Sequence, residues 1–209
     1  MVISHTIIMR DIATREDIED LILDAADQLL NRFGYKKMTM DNLAQEVGIG
    51  KGTLYLHFSS KEEIVLSHID RIIYRLLVKL QMIAHGDGSA SERIREMLLT
   101  RVLFRFDSVQ HYSESLSDLL ADIRTSLLLR REKHFALEAK VFADVLEEGR
   151  KDNSFTIEEL QSTTNAILLA TNSLLPYSLS VNELVKRKEL EKKSSKIADL
   201  VLDGLIKRS

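Results

Sequence analysis

The sequence predicts an all-α protein of about nine helices. Apolar residues recur at three- and four-residue steps along most of the 209 residues, which is the period of an amphipathic helix. Chain breakers are scarce, because the chain holds only eight Gly and one Pro. No segment shows the alternating pattern of a strand, and no internal repeat is visible. We therefore expect helices packed on helices throughout.

The first part of the chain predicts four helices, two of them short. Each has a residue suited to its start or its end, such as a hydroxyl at the N-cap or a Gly at the C-terminal end. The predicted segments are 15–34, closed by Gly34; 39–48, capped by Thr39 and closed by Gly48; 51–57; and 60–85, opened by the capping box Ser60–Glu63.

The remainder of the chain continues the helical period with weaker punctuation. A Gly or a cluster of polar residues marks each expected break. The predicted segments are 91–106, a polar break at 107–113, a short helix around 116–123, a long helix over 125–148 stopped at Gly149–Asn153, a helix opened by a capping box at Thr156–Glu159 and ending at Pro176, and a last helix over 182–207.

Composition excludes several classes of protein. Hydrophobic residues make up 44% of the chain and charged residues 29%, as in an ordinary globular protein. The absence of Cys excludes disulfide frameworks, thiol catalysis and Cys-based metal sites. No apolar run approaches the ~18 residues of a membrane span, and the first residues lack the features of a signal peptide. We therefore expect a cytoplasmic protein whose start is either Met1 or Met9.

The overall charge does not by itself indicate a nucleic-acid partner. The net charge is −3, and the first 70 residues hold seven Lys and Arg against twelve Asp and Glu. Any binding to DNA must therefore depend on the local placement of cations, because charges more than about 8–10 Å apart are largely screened.

Two short helices joined by a Gly-containing turn form a helix-turn-helix layout. Gly48 supplies a left-handed residue that ends the first of these helices without steric cost. Gly50 and Gly52 allow the backbone amides that begin the next helix to approach a phosphate closely. Side chains of that second helix would then reach base edges in the major groove.

A set of spaced residues over 39–64 is specific to one family of proteins. These residues are Gly48, Gly52-Thr53-Leu54-Tyr55, His57-Phe58 and Lys61-Glu62. With them the segment resembles the tetracycline-repressor (TetR) family of bacterial transcriptional regulators, and with the preceding helix the resemblance covers about 15–70. The departure from the family pattern is Gly50, where members more often carry a Ser cap; the loss of that cap costs roughly a few tenths of a kcal/mol.

The resemblance implies a set of DNA contacts within this segment. Lys36 and Lys37 are not fixed in the family, but they lie just before the second helix and would add phosphate contacts. The implied roles are a phosphate contact from Thr39; entry of Gly50, Lys51, Gly52 and Thr53 into the groove, with Lys51 reading a guanine edge; phosphate and sugar contacts from Tyr55 and His57; and a backbone anchor at Lys61.

The resemblance also divides the chain into domains. It implies a tail over 1–14, a DNA-binding domain over 15–75 whose helix-turn-helix covers about 38–57, and a regulatory and dimerisation domain over 76–209. The last two helices would form a four-helix bundle with a second copy, so that a homodimer presents two reading helices about 34–36 Å apart. No cofactor or metal ion is expected.

A pocket between the middle helices would hold a small-molecule effector. The candidate pocket residues are Phe104, His111, Tyr112, His134, Phe135, Phe142, Asn165 and Asn172, with Met82 and Thr164 as further candidates.

Two runs of basic residues are interpreted as solvated helix faces and not as binding sites. They are Arg130-Arg131 and Lys186–Lys188.

The predicted function is therefore a homodimeric regulator that binds a palindromic operator and is released by a small molecule. Repression is the commoner mode in the family, and activation stays open. A helical adaptor for DNA or protein without a ligand switch is the alternative. An enzyme is disfavoured, because the chain lacks a phosphate loop, a nucleophile elbow and a His-Glu-x-x-His motif. The effector, the operator and the target genes cannot be read from the residues.

Overall fold

A computed structural model describes residues 15–179, 183 and 186–206. The predicted tail over 1–14 lies outside the described residues. Within them the protein is all-α, which confirms the predicted fold class. The nine helices of this part of the chain are α1 (Arg15–Lys37), α2 (Met40–Val47), α3 (Lys51–His57), α4 (Lys61–Ala84), α5 (Ala90–Val109), α6 (Ser113–Asp122), α7 (Arg124–Lys151), α8 (Leu160–Asn172) and α9 (Arg187–Leu205).

The packing divides the chain into two compact units, the first ending at His68 and the second beginning at Ile69. In the first unit, α1 packs against α2 and α3 through fully buried side chains such as Leu29, Leu43 and Leu54. Gly34 has a positive φ of 71° and kinks α1, so that the last turn of this helix changes direction. The helical conformation therefore breaks at Gly34, where the sequence predicts the end of the helix, and it resumes for one short turn that ends at Lys37.

The second unit is built around α5, which packs against α7, α8 and α9. Its core contains the fully buried Leu80 of α4, Ile94 of α5 and Phe142 of α7, with Leu168 of α8 and Ala198 of α9. Since these residues recur on one face of each helix, the apolar stripes seen in the sequence account for this core. None of the described helices has a stretch apolar and long enough to cross a membrane.

One predicted helix boundary in the second unit is wrong. The polar break at 107–113 is instead the end of α5 followed by a short 3-10 turn over Gln110–Tyr112. The long helix predicted to stop within Gly149–Asn153 ends at Lys151, which confirms the stop. The expected start of the last helix at Asn182 lies outside the described residues, and α9 is described from Arg187.

The predicted capping box at Thr156–Glu159 is also wrong, because tertiary contacts hold this segment extended. Phe155 forms an isolated antiparallel bridge with Ile206, and Thr156 N donates to the carbonyl of Leu205 at 2.8 Å. The Phe155 ring lies against Gly149, where an added Cβ would meet it at 2.3 Å. The close approach of this ring therefore requires a Gly inside α7.

Candidate nucleic-acid interface and effector cavity

Local signals in the sequence position the short helix α3. The Thr39 hydroxyl caps α2 by accepting from Asn42 N at 3.1 Å. Gly48 has a φ of 76° and donates its N–H to the carbonyl of Ala44 at 3.0 Å, which ends α2 and begins the turn. Gly50 is the N-cap of α3, and no hydrogen bond from a described side chain caps the amides that follow it.

One face of α3 is buried and the other is accessible to a ligand. Leu54 is fully buried and Phe58 nearly so, and both hold the helix against α1 and α2. Lys51, Gly52 and Tyr55 are exposed on the other side. Because the N-terminal turn of a helix favours negative charge, this face is suited to a phosphate backbone.

The lysines near this face differ in how they are engaged. Lys51 Nζ lies 2.8 Å from Asp41 Oδ1, and this hydrogen bond raises the pKa of the lysine. Both side chains are exposed, so a DNA group can replace Asp41. Lys36 and Lys37 are exposed in the last turn of α1, and Thr39 is exposed as well.

Two of the predicted DNA contacts have partners inside the first unit. Lys61 Nζ donates to the backbone carbonyl of Tyr35 at 2.9 Å. The same ammonium lies 4.0 Å from the centre of the Tyr35 ring. His57 Nδ1 lies 3.3 Å from Glu19 Oε1, and its side chain is only 10% exposed. These contacts fix the ends of α3 and α4 against α1, so a role of Lys61 or His57 at a phosphate stays a prediction.

The second unit contains a cavity between α4, α5, α6 and α7, closed on one side by a 3-10 turn over Pro176–Ser178. Its free volume is about 100 Å³. Ten of its seventeen lining residues are aliphatic, Phe or Pro. The lining residues are Ile69, Ile72, Ile73, Arg101, Arg105, Val109, Tyr112, Leu116, Leu119, Leu120, Leu127, Arg131, His134, Phe135, Glu138, Pro176 and Tyr177.

A buried charge network forms one wall of this cavity. Arg101 and Arg105 lie one turn apart on α5, so both face Glu138 of α7. Arg101 Nε donates to one carboxylate oxygen at 2.6 Å, and Arg105 Nη2 donates to the other at 2.5 Å. Arg101 and Glu138 are 2% and 1% exposed. Burial acts to raise the pKa of Glu138, but the two guanidinium groups outweigh it and lower the pKa.

A second ionic group lies beside the cavity on α4 and α7. Asp70 accepts from His134 Nε2 at 2.7 Å and also from Arg130. Partial burial acts to raise the pKa of Asp70, but the hydrogen bond from His134 and the charge of Arg130 outweigh it, so the pKa is lowered. Asp70 therefore stays ionised and fixes the His134 ring at the cavity wall.

The structure brings together three of the eight predicted effector residues, namely Tyr112, His134 and Phe135. The other five lie elsewhere and do not line this cavity. Phe142 is fully buried in the core, and the Phe104 ring lies 5.7 Å from the ammonium of Lys79. His111 is exposed beside Tyr112. The side chain of Asn165 accepts a hydrogen bond from Gln161, and that of Asn172 accepts one from Arg101.

Sequence reasoning missed the charged residues of the cavity. It placed Arg130 and Arg131 on a solvated face, yet Arg130 pairs with Asp70, and Arg131 stacks on Tyr177 with 3.8 Å between the guanidinium carbon and the ring centre. Arg187 is exposed, as predicted, and forms a surface ion pair with Asp107. The available signal was an Arg pair one turn apart within the apolar stripe of α5.

Comparisons with known proteins agree with this layout. The model of the family described as "Bacterial regulatory proteins, tetR family" matches residues 22–67. The chain is 42% identical over 65 residues to YhgD, an uncharacterised HTH-type transcriptional regulator of Bacillus subtilis; this covers 31% of the chain and 32% of YhgD. It is 30% identical over 138 residues to the HTH-type transcriptional repressor KstR2 of Rhodococcus jostii, which covers 64% of the chain and 66% of that repressor.

A solved structure extends the likeness to nearly the whole chain. The crystal structure of a transcriptional regulator from Cytophaga hutchinsonii superposes with a TM-score of 0.71 at 19% identity, covering 90% of this chain and 98% of that one. At this identity the superposition establishes a shared fold. The curated relative YhgD is matched over about a third of its length only.

Proposed function

Because this chain belongs to the tetR family of bacterial regulatory proteins, we propose that it is a homodimeric regulator that binds a palindromic operator and is released by a small molecule. The observation that carries the proposal is the exposed N-terminal end of α3, where Gly50, Lys51 and Gly52 are all accessible to solvent. The proposal assigns DNA binding to the domain over 15–75 and regulation to 76–209, and it places the protein in the cytoplasm, where the operator lies.

Repression is the proposed mode, in line with the relative KstR2, which is named a repressor. In this scheme two copies of α3 enter successive major grooves on one side of the duplex, about one helical turn apart. Gly50 and Gly52 bring backbone amides to the phosphates, Lys51 reads a base, and Lys36, Lys37, Thr39 and Tyr55 contact the sugar–phosphate backbone.

The first experiment selects operator sequences from a random duplex library with the purified full chain. We expect a palindrome whose half-sites are about one turn apart. Lys51→Ala should lower discrimination at one base pair by roughly tenfold or more, whereas Lys37→Ala should weaken all sequences alike. Lys188→Ala, an exposed charge on α9, is the control and should change neither quantity. Unselective binding by the unaltered chain would refute the assignment.

The proposed dimer uses the outer faces of α8 and α9. Ala166, Leu169 and Ala170 are exposed on α8, and Leu200 and Gly204 are exposed on α9. Leu169 and Leu200 are 59% and 60% exposed, which is unusual for leucines in the middle of a helix. Small residues between them allow the close approach of a second pair of helices.

Sedimentation tests this interface directly. Leu169→Glu should convert the dimer to a monomer and abolish binding to a full palindrome, because a buried unpaired carboxylate opposes association. Leu129→Glu on α7, where the leucine is 72% exposed, is the matched control and should leave the dimer intact. A Leu169→Glu variant that remains dimeric would locate the interface elsewhere.

The ligand switch is tested with the purified protein and a metabolite collection. A compound at a hundred times its Kd stabilises the protein by about 2.7 kcal/mol, which a thermal-shift assay detects. We expect at least one stabilising compound to lower operator affinity. If every stabilising compound leaves operator affinity unchanged, the protein is a DNA-binding adaptor without a switch.

A further inference from the structure

The cavity in the second unit has an apolar body and an unbalanced charge. Most of its walls are aliphatic side chains from α4, α6 and α7, for example Ile72, Leu119 and Leu127. Against these walls it collects three guanidinium groups and one carboxylate. The Asp70 carboxylate beside it is already engaged by Arg130 and His134. The cavity therefore combines a surface for an apolar group with an excess of positive charge.

The three arginines differ in the donors they have left. Arg101 uses four of its five N–H groups, because it donates to Glu138, to the carbonyl of Leu168 and to the side chains of Thr171 and Asn172. Arg105 uses Nη2 for Glu138 and Nη1 for the carbonyl of Arg101. Since a guanidinium has five N–H groups, Arg105 retains donors for a further acceptor.

Arg131 has no carboxylate partner among the described residues. Its contact at the cavity wall is the face of the Tyr177 ring, 3.8 Å from the guanidinium carbon. A ring beneath the guanidinium fixes its plane and leaves the N–H edge open to an acceptor. Arg131 and Glu138 lie seven residues apart on α7, hence on one face of that helix, and Arg105 donates to the same Glu138.

From this arrangement we propose that the effector is an amphipathic anion. Its compact apolar body occupies the aliphatic part of the cavity, and its carboxylate or related oxyanion accepts hydrogen bonds from Arg131 and Arg105. A planar guanidinium matches a carboxylate through two parallel N–H donors, which favours an acid over a neutral molecule of the same shape. An organic cation is disfavoured by the three arginines. This inference rests on the proposed function, since it names the chemical class of the effector.

The size of the cavity sets the first probes. The free volume of about 100 Å³ is smaller than the apolar cavity of about 150 Å³ that holds benzene, but the cavity is open on one side, so part of a longer ligand can lie outside it. Acids of different lengths are therefore tried first: phenylacetate, 4-phenylbutyrate, hexanoate and octanoate. The matched neutral and cationic probes are octanamide and octylamine. Titration calorimetry on the full-length protein measures each affinity.

We expect the acids to bind saturably and octanoate to bind at least about tenfold more tightly than octanamide, because a charge-assisted hydrogen bond is worth about 1.5–3 kcal/mol. Octylamine should bind more weakly than octanamide. Equal affinity for octanoate and octanamide, preference for the amine, or no saturable binding of any acid at millimolar concentration would overturn the proposal.

Variants locate the head group. Arg131→Gln should remove most of the preference for octanoate while leaving the affinity for octanamide within about twofold, because it deletes the charge and keeps a polar side chain. Lys133→Gln removes the same charge from the exposed side of α7 and should change neither affinity. If Arg131→Gln keeps the full preference for the acid, the anion does not bind at Arg131 and the proposal fails.

Operator binding separates this proposal from the proposed function. DNA affinity measured without any added acid tests the regulator alone. Intact operator binding with no affinity for acids refutes the effector class and leaves the DNA-binding role standing. Tight binding of octanoate with no change in operator affinity supports the anion site in the cavity, but it refutes the switch and with it the role of the anion as effector.

Discussion

The replacement Glu138→Gln tests whether the carboxylate balances the buried arginines. The side chain is 1% exposed, and its two oxygens accept from Arg101 and Arg105 at 2.6 and 2.5 Å. Glutamine has nearly the same shape, so little packing is lost. It offers one acceptor oxygen in place of two, so one of the two buried guanidinium groups faces an amide NH₂ that cannot accept, and neither guanidinium charge is balanced.

The expected loss of stability is large. Breaking a buried ion pair by removing one charge costs about 3–5 kcal/mol. Since 1 kcal/mol lowers Tm by about 2–4 °C in a protein of this size, the midpoint should fall by roughly 6–20 °C. Urea denaturation followed by circular dichroism measures the free energy of unfolding, and Glu132→Gln, an exposed position on the same helix, is the control.

The stability of two variants tests the electrostatic explanation. If Glu138→Gln has the same free energy of unfolding as the control Glu132→Gln, the carboxylate does not offset the guanidinium charges. Glu138→Asp keeps the charge on a shorter side chain and should lie between Gln and the unaltered protein. If Asp and Gln destabilise equally, the loss comes from packing and the electrostatic explanation is refuted.

The remaining predictions concern packing, pH and salt. Gly149→Ala should destabilise the protein by about 1–3 kcal/mol in urea denaturation, because the new methyl group meets the Phe155 ring; Gly52→Ala, also inside a helix and with no described atom within 4 Å of the added Cβ, is the control for stability. Asp70 has a lowered pKa, so its stabilisation is complete above the unfolded pKa near 3.9 and is lost as pH falls through the folded value; Asp70→Asn should flatten this acid limb of the stability–pH curve. Operator affinity should fall with a log–log salt slope of about −4 if Lys36 and Lys37 of each protomer neutralise phosphates, and a slope near zero would contradict phosphate binding.

The short helices α2 and α3 were predictable because their signals are local. A hydroxyl at Thr39 and a left-handed residue at Gly48 act within four residues of the backbone groups that they satisfy. The same kind of signal failed at Thr156–Glu159, where the backbone pairs with the end of α9 instead. A cap in the sequence competes with tertiary partners, and the sequence does not show which one prevails.

The candidate DNA contacts were named from a resemblance, and most of them are exposed in the structure. Lys61 and His57 differ because their partners, Tyr35 and Glu19, lie 26 and 38 residues away. The cavity charges were missed for the same reason. Arg101 and Glu138 are 37 residues apart, and a buried ion pair of that separation leaves no periodic signal.

The proposed switch requires a minimum difference in the binding free energy of the effector between the two states of the protein. Moving a two-state equilibrium from 1:99 to 99:1 requires about 5.5 kcal/mol of differential binding, or about 2.7 kcal/mol from each of two ligands in a dimer. One charge-assisted hydrogen bond supplies about 1.5–3 kcal/mol, and only the part that differs between the two states counts. Each buried methylene adds about 0.8 kcal/mol. The carboxylate therefore selects the ligand, while the apolar body completes the shift, so operator release should improve with the chain length of the acid until the cavity is filled.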